Sequence, residues 1–242
     1  MKKYVLSLNE NQFNNLQVLL NREKMLEIVK KNFILLDHAE SFQYVLEKLE
    51  SVILLSDLPI LEVGTNMGGS MKCFMEVLLK NGKNNWCFGV DPYGAIKYHN
   101  GSDIRETSVY DNLRYRNSMK QLYSFAADNN LNYCHNKCTS EEFMNNVFPT
   151  LNIYDKGEVK KVDKFSFVFL DGSHDPVLVK KELEFFMNYV DISGCIIVDD
   201  LKENERRGVD GALASKNKPD QLPVFVDDKT QIHERYVVEY RK

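Results

Sequence analysis

The sequence predicts an α/β fold built on a doubly wound, mostly parallel sheet of seven strands. Short apolar segments alternate with longer segments whose apolar residues recur at helical spacing, and this alternation is typical of βαβ units. Several apolar segments, such as Phe165–Leu170, contain almost no polar residue, as strands covered on both faces do. The last two predicted strands, Pro223–Val226 and Arg235–Tyr240, leave no room for a crossover helix, so we expect them to be antiparallel.

The N-terminal residues 1–57 are predicted to form helices that pack on the core of a single-domain protein. Their clearest signal is an apolar stripe at helical spacing, formed by Phe42, Val45, Leu46 and Leu49. Residues 58–242 are predicted to form the ligand-binding domain. Its first five strands are expected at Pro59–Gly64, Trp86–Asp91, Leu131–Cys134, Phe165–Asp171 and Gly194–Asp200.

Helical patterns separate these strands. Apolar stripes at helical spacing begin at Met71, Met119 and Val179. Asp175 and Pro176 supply an N-cap and a proline for the first turn of the third of these helices. Further helices are predicted from Ser140 and over Val209–Lys216.

The composition excludes several classes of function. The chain has 242 residues and a formal net charge of −4, which argues against a nucleic-acid partner because phosphate binding requires a basic face. No apolar run reaches the roughly 20 residues that cross a bilayer. The first apolar stretch is too short for a signal peptide, so we expect a cytoplasmic protein without a membrane partner.

The five cysteines are odd in number and scattered along the chain, which disfavours a disulfide framework. Cys134, His135 and Cys138 lie close together and raise the alternative of zinc. No second Cys/His pair at finger-like spacing completes four ligands. Reduced, half-buried thiols are therefore the preferred interpretation.

A glycine-rich loop after the first strand indicates a nucleoside cofactor. The segment Glu62–Ser70 holds three glycines, which let the main chain turn sharply and approach a ligand. A dinucleotide fingerprint would need glycine at position 66, which is asparagine, so a cofactor without pyrophosphate fits better than NAD. Asp91 ends the second strand, where a carboxylate can accept both ribose hydroxyls. The alternatives are a turn without ligand and an aspartate that caps a helix or turn.

Acidic residues follow two further strands, at Asp171 and at Asp199–Asp200. If these strands are neighbours, three carboxylates meet at the edge of the sheet where ligands bind in open α/β folds. Three acids share a small space only with a cation or with raised pKa values. Oxygen ligands suit Mg²⁺, Mn²⁺ or Ca²⁺. A helix-capping aspartate and a solvated acidic rim are the alternatives.

Four segments together resemble the class I S-adenosylmethionine-dependent methyltransferases: Glu62–Gly69, Asp91–Gly94, Leu170–His174 and Gly194–Asp200. More narrowly, they are similar to the metal-dependent O-methyltransferases that modify macrolide, aminocoumarin and surface-polysaccharide sugars. Arg207-Gly208-Val209 matches the segment that follows the metal strand in that family. The resemblance covers about residues 58–240 and does not include the N-terminal helices.

The resemblance implies a role for each matching residue. Asp171, Asp199 and Asp200 would bind a divalent metal, expected to be Mg²⁺, and His174 would be the general base. Some relatives place aspartate at position 173 and give it that role, but this chain has Ser173, which cannot act as a base at neutral pH. S-adenosylmethionine would be held by residues at the ends of four strands: Glu62, Gly64, Thr65, Asn66, Gly68, Asp91, Ser140 and Asp171.

The acceptor implied by the resemblance is a sugar or a sugar nucleotide, a small molecule that would bind the metal through a vicinal diol. The segment Asp91–Arg116 is rich in tyrosine and arginine, which can stack on a sugar and bind a phosphate; a mobile lid with solvated charges is the alternative. Other possibilities are a catechol-type O-methyltransferase, a hydroxylase of the same fold, a non-catalytic nucleoside-binding module and a nicotinamide-dependent oxidoreductase. Homo-oligomer formation stays open.

Overall fold

The computed structural model describes residues 10–32, 39–94, 96–100, 103–107, 111–155, 157–173, 176–199, 230–233 and 236–240. Two long helices come first, α1 (Glu10–Asn32) and α2 (Ala39–Ile53). They carry the helical character expected for the N-terminal segment. In the described part of the chain, no helix combines the length and apolar character required to cross a membrane.

The central sheet contains seven strands, as predicted. Along the sheet they follow the order β10, β11, β9, β8, β1, β2, β5. The five strands from β9 to β5 are parallel, and β11 runs antiparallel to both of its neighbours. Their bounds are β1 (Ile60–Val63), β2 (Cys87–Val90), β5 (Tyr133–Asn136), β8 (Phe165–Leu170), β9 (Val190–Val198), β10 (Thr230–His233) and β11 (Tyr236–Tyr240).

Helices cover both faces of this sheet. The helices after the strands are α3 (Gly69–Lys80), α4 (Asn112–Asp128), α5 (Ser140–Glu142, continued by wider and tighter turns to Thr150) and α6 (Pro176–Phe186). One face packs on α2, α3 and α4, with Phe167 and Phe169 of β8 in its core. The other face packs on α6, with Phe165 and Val168. Burial on both faces explains why β8 is apolar throughout.

Two antiparallel hairpins stand outside the sheet, and the sequence analysis did not anticipate them. The first, β3 (Ile96–Asn100) with β4 (Asp103–Thr107), lies between β2 and α4. The second, β6 (Asn152–Asp155) with β7 (Glu158–Lys161), precedes β8. Charged and polar residues dominate both hairpins, so the alternating apolar signal of a half-buried strand is missing.

Several strand bounds differ from the expected ones. The third parallel strand begins two residues later than expected, at Tyr133, and β9 begins four residues earlier, at Val190. The closing antiparallel pair is present, but it is formed by β10 and β11. The segments Pro223–Val226 and Val209–Lys216 lie outside the described residues.

A buried polar network joins the N-terminal helices to α3. Glu50 of α2 accepts hydrogen bonds from Lys24 Nζ of α1 at 2.7 Å and from Asn81 Nδ2, just after α3, at 2.9 Å. Glu76 of α3 accepts from Asn32 Nδ2 at 3.2 Å. Glu50 is only 6% exposed. If its carboxylate were removed, water could not fully replace it as the acceptor for Lys24 and Asn81. We infer that α1 and α2 belong to the same folding unit as α3, with which they share one hydrophobic core.

Replacing Glu50 should test this coupling. We expect Glu50→Ala to lower the free energy of unfolding by about 1–3 kcal/mol, since it removes a buried acceptor shared by Lys24 and Asn81. Glu50→Gln keeps an acceptor oxygen and should cost less. The exposed pair of Glu27 with Lys80 spans 3.7 Å, so Glu27→Ala should change stability by less than about 1 kcal/mol. Urea denaturation measures the free energy of unfolding of the three variants. Equal losses of stability in Glu50→Ala and Glu27→Ala would contradict the coupling through Glu50.

Candidate active site

The carboxyl ends of four neighbouring strands meet at one edge of the sheet. Val63, the last residue of β1, is the register partner of Val90 in β2 and of Leu170 in β8. Leu170 is in turn the partner of Val198, the last residue of β9. The residues that follow these positions are therefore adjacent in space, as the sequence analysis required for its glycine loop and acidic residues.

Gly64 is the point where the loop after β1 touches the end of β8. Its N–H donates to the carbonyl oxygen of Val90 at 2.8 Å, and its φ is +96°. A Cβ at this position would lie 2.1 Å from the carbonyl oxygen of Asp171, far closer than any side chain allows. Gly68 closes the same loop with φ +81°, and a Cβ there would lie 2.8 Å from Leu122. The glycines are thus required by close packing of the loop.

Asn66 and Asp91 connect the ends of β1 and β2. The main-chain N–H of Asn66 donates to Asp91 Oδ2 at 2.9 Å, and that of Tyr93 donates to Oδ1 at 3.1 Å. Asn66 has φ +45°, a left-handed conformation that asparagine tolerates better than most residues. This explains how asparagine replaces the glycine of a dinucleotide motif without breaking the turn.

The carbonyl oxygen of Asn66 is held from two other elements. The hydroxyl of Tyr93 donates to it, and Ser118 Oγ of α4 donates to it at 2.9 Å. Tyr93 also has a left-handed backbone, with φ +44°. Residues held in such conformations cluster at functional sites, where the surroundings impose them. Neither contact could be read from the sequence, since Asn66 lies 27 residues from Tyr93 and 52 residues from Ser118.

Two acidic residues are buried beneath this loop. Burial is the main cause that raises the pKa of Glu62 to about 8; the nearby charge of Asp91 acts in the same direction, and the Ser70 hydroxyl that donates to Glu62 Oε1 acts against it. The other oxygen, Oε2, is buried and receives no hydrogen bond from the described residues. Burial also raises the pKa of Asp91, against the two main-chain N–H groups that lower it. An orphaned buried oxygen is a feature that a ligand can satisfy.

Thr65 and Ser140, the remaining cofactor candidates in the loops, are both buried. Thr65 Oγ1 lies above Gly89 of β2, where a Cβ would come within 2.7 Å of it. Ser140 begins α5, behind the capping residue Thr139, whose hydroxyl accepts from the N–H of Glu142 at 3.2 Å. Both residues lie in loops that follow parallel strands of the sheet.

The described acidic residues of the predicted metal site are also neighbours. Asp171 and Asp199 follow the paired residues Leu170 and Val198, and the N–H of Asp199 donates to the Leu170 carbonyl oxygen at 3.0 Å. Asp200 and His174 lie outside the described residues. Among the residues that the structure does describe, no group of three or more His, Cys, Asp or Glu forms a metal site. Of the three predicted metal ligands, Asp171 and Asp199 are among the described residues.

The tyrosine- and arginine-rich segment separates into parts with different surroundings. Tyr93 and Tyr115 pack on each other with ring centroids 5.1 Å apart, so these rings serve the protein's own packing. Tyr98, His99 and Arg105 belong to the first hairpin, where only the backbone is described. A cavity of about 230 Å³ lies between the glycine loop and the first turns of α4, lined by Met67, Asp111, Leu113, Arg114, Asn117, Ser118 and Gln121.

His135 of β5 has a role that the sequence analysis did not foresee. Its Nε2 lies 3.3 Å from the main-chain oxygen of Asp91, and its Nδ1 lies 3.4 Å from the hydroxyl of Tyr133. Both ring nitrogens are thus engaged within the protein, which disfavours the zinc alternative with Cys134 and Cys138. The close spacing of Cys and His drew attention to a metal, whereas the pairing of β5 with β2 could not be read from the sequence.

Substitution of two glycines separates steric fit from backbone strain. Gly64 and Gly82 both have positive φ, but a Cβ on Gly82 would meet nothing within 4 Å. We expect Gly82→Ala to cost about 1 kcal/mol of folding free energy, the penalty of a left-handed backbone. Gly64→Ala should cost about 3 kcal/mol or more, because the main chain must move. Urea denaturation compares them, and equal costs would show that the Gly64 contact is not tight.

The buried carboxyl group of Glu62 should make stability depend on pH. Its folded pKa of about 8 exceeds the ordinary value of 4.5, so the folded protein binds the proton more tightly. The resulting stabilisation is full below pH 4.5 and is lost as the pH rises towards 8. Relative to Glu62→Gln, the unmodified protein should lose up to about 1.4 kcal/mol per pH unit in that window. Denaturation of both proteins from pH 5 to 8 measures the difference between their free energies of unfolding. A difference that stays constant with pH would refute the raised pKa of Glu62.

Comparison with known proteins was made for both sequence and structure. Residues 61–201 match a family model described as a methyltransferase domain. A search of curated proteins found no match to the sequence. Among solved structures, the calicheamicin methyltransferase CalS11 aligns with a TM-score of 0.61 at 10% identity, over 97% of this chain and 94% of that one.

Two further structures share the fold. The SAH-bound methyltransferase PaMTH1 of Podospora anserina aligns with a TM-score of 0.50 at 10% identity, over the full length of both chains. MycE of the mycinamycin biosynthetic pathway, solved with Mg and SAH, aligns with a TM-score of 0.52 at 12% identity. That alignment covers 89% of this chain and 54% of MycE. The family match spans more than half of the chain, and the fold agrees with it: this protein belongs to the methyltransferase family and has the class I methyltransferase fold.

Proposed function

We propose that the protein transfers the methyl group of S-adenosylmethionine to a hydroxyl of a sugar or sugar nucleotide, with the help of a divalent metal, expected to be Mg²⁺. One observation carries this proposal. Asp171 and Asp199 follow cross-strand partners at the end of the sheet, and the main chain of Asp171 also meets Gly64 of the glycine loop. Paired acids and a nucleoside-type loop therefore share one edge.

The residues around the glycine loop fit the cofactor. Each Asp91 oxygen accepts one main-chain N–H, which leaves a lone pair on each for a ribose hydroxyl. The orphaned oxygen of Glu62 can accept a hydrogen bond from the cofactor, directly or through water. Ser140 is proposed to lie near the adenine. The main chain of the glycine loop and of the β8 end would line the remainder, through Gly64, Thr65, Asn66, Gly68 and Asp171.

The acidic residues fit a hard cation. Asp171 and Asp199, together with Asp200, would supply carboxylate oxygens of the kind that Mg²⁺ prefers. A divalent ion held there would lower the pKa of a hydroxyl bound to it. Asp199 is 4% exposed, and a cation is one kind of compensating charge that stabilises a buried carboxylate. A metal-assisted transfer is thus consistent with the chemistry of these residues.

His174 is the proposed general base. It follows Asp171 by three residues, and imidazole is the side chain best suited to accept a proton near neutral pH. Removal of the hydroxyl proton leaves an oxygen able to attack the methyl carbon, whose bond to sulfur breaks as S-adenosylhomocysteine forms. Much of the rate gain would come from holding the two substrates in line.

The proposed acceptor class is supported by residues and by the neighbours' known substrates. One solved CalS11 structure is described as a TDP-rhamnose 3'-O-methyltransferase, and it aligns with a TM-score of 0.51. In this chain, Arg114 and two amide side chains line the cavity beside the glycine loop, and a guanidinium group can bind a phosphate of a sugar nucleotide. We propose a nucleotide-linked sugar as the first substrate to test.

A product assay tests the function directly. The protein is incubated with S-adenosylmethionine, Mg²⁺ and either TDP-linked or UDP-linked hexoses, catechols or no acceptor, and S-adenosylhomocysteine is measured. Product with a sugar nucleotide supports the proposal, and product with catechols alone would replace the acceptor class. Binding of S-adenosylhomocysteine without turnover on either class would favour a non-catalytic module, whereas hydroxylated product would indicate the hydroxylase alternative.

Replacing one proposed metal ligand should separate chemistry from cofactor binding. We expect Asp199→Asn to lower kcat at least 100-fold, because the amide removes a charge from the metal site, while the affinity for S-adenosylhomocysteine changes less than threefold. EDTA should abolish turnover of the unmodified protein, and added Mg²⁺ should restore it. Asp163→Asn, at an exposed acid paired with Lys161, is the matched control and should retain full activity. Full activity in EDTA would rule out the metal.

A further inference from the structure

We propose that His135 is a positioning residue of the cofactor pocket. Its Nε2–H group donates to the main-chain oxygen of Asp91 and holds the turn after β2 in the conformation that presents the Asp91 carboxylate to the glycine loop. This inference rests on the proposed function, because the pocket that it concerns is the proposed cofactor site. His135 itself would act through Asp91, without contacting the reacting atoms.

The hydrogen bonds of the ring define one tautomer. A main-chain oxygen can only accept, so the 3.3 Å contact between His135 Nε2 and Asp91 requires a proton on Nε2. In a neutral ring Nδ1 is then an acceptor, and the Tyr133 hydroxyl at 3.4 Å is its donor. Burial is the main cause that lowers the pKa of His135 to about 4; the hydrogen bond to the Asp91 main chain acts against it, and the charge of Lys137 adds to it. The ring is therefore neutral at physiological pH, as this arrangement requires.

The ring is also fixed by packing. Its centroid lies 5.5 Å from that of Tyr93 and 5.8 Å from that of Tyr115. Gly89, the register partner of His135 in β2, lacks the side chain that would occupy this space. A Cβ on Gly89 would lie 3.0 Å from His135 Nδ1 and 2.9 Å from the Tyr133 hydroxyl. The glycine in a buried strand thus makes room for the pair of side chains that supports Asp91.

The turn that His135 holds is one that the backbone would not adopt unaided. Tyr93, two residues after Asp91, has φ +44°, and such conformations persist only where the surroundings impose them. The Asp91 carboxylate binds the N–H groups of Tyr93 and Asn66, and the Tyr93 hydroxyl binds the Asn66 carbonyl oxygen. The contact from His135 therefore connects β5 to a network that shapes both the glycine loop and the ribose-binding carboxylate.

Three substitutions of His135 distinguish positioning from packing. In His135→Gln, the side-chain amide nitrogen can take the place of Nε2 and donate to the main-chain oxygen of Asp91. In His135→Asn, the side chain is too short, because its amide nitrogen lies near the position of Nδ1. Leucine fills space without any donor. Tyr123→Phe is the matched control, since the Tyr123 hydroxyl accepts from the main-chain N–H of His135 at 3.0 Å without touching Asp91. S-adenosylhomocysteine binding is measured by calorimetry, with thermal unfolding measured without ligand.

We expect His135→Leu and His135→Asn to bind S-adenosylhomocysteine about 5–10-fold more weakly than the unmodified protein, the effect of losing roughly one hydrogen bond. His135→Gln should bind within about threefold of it, and Tyr123→Phe should bind normally. On an accepted substrate, the weak variants should raise the KM for S-adenosylmethionine and leave kcat unchanged. A purely structural role would lower the unfolding temperature without this ordering of affinities.

Each outcome decides the inference. If the unmodified protein binds S-adenosylhomocysteine and all three His135 variants bind equally well, the positioning role is refuted while the proposed cofactor stands. If His135→Leu does not fold, the comparison of glutamine with asparagine decides, and equal affinities overturn the role. If the unmodified protein itself does not bind S-adenosylhomocysteine, the proposed function fails and this inference fails with it.

Discussion

The site depends on the close approach of Gly64 to the main chain of Asp171. A Cβ at Gly64 would overlap the Asp171 carbonyl group, so the loop after β1 can fold over the end of β8 only with glycine at this point. The amide of Gly64 simultaneously binds Val90 at the end of β2. Gly64 thereby connects the end of β1 with the ends of β2 and β8. The proposed nucleoside side and the acidic side of the site are adjacent because of this contact.

A pair of buried carboxyl groups is the second constraint on the site. Glu62 and Asp91 lie beneath the loop, and burial together with the proximity of Asp91 raises the pKa of Glu62. The two acids accept different hydrogen bonds. Asp91 accepts from two main-chain N–H groups, whereas Glu62 accepts from the hydroxyl of Ser70. Buried polar groups are normally satisfied. The orphaned oxygen of Glu62 therefore supports the proposal of a binding site beneath the loop.

Much of the fold could be predicted because its signals are local. Most of the parallel strands contain a short apolar segment, and Pro176 begins α6 where the sequence indicated a first-turn proline. The hairpins and the long first part of β9 were missed, since polar residues such as Asp191 and Ser193 interrupt the apolar pattern there. Similarly, Asn66 could be read as a departure from a dinucleotide motif, but its left-handed backbone and its bond to Asp91 were not visible in the sequence.

The alternation of strands and helices, the glycine loop and the acids at the strand ends can be read from the amino-acid sequence, because each is encoded in consecutive residues. Which strands are neighbours depends on the folded chain as a whole. It brought Asp171 beside Asp199 and Gly64, and it brought His135, 44 residues along the chain, against the main chain of Asp91. Strand order depends on how the whole sheet buries its two faces, and no local pattern encodes that choice.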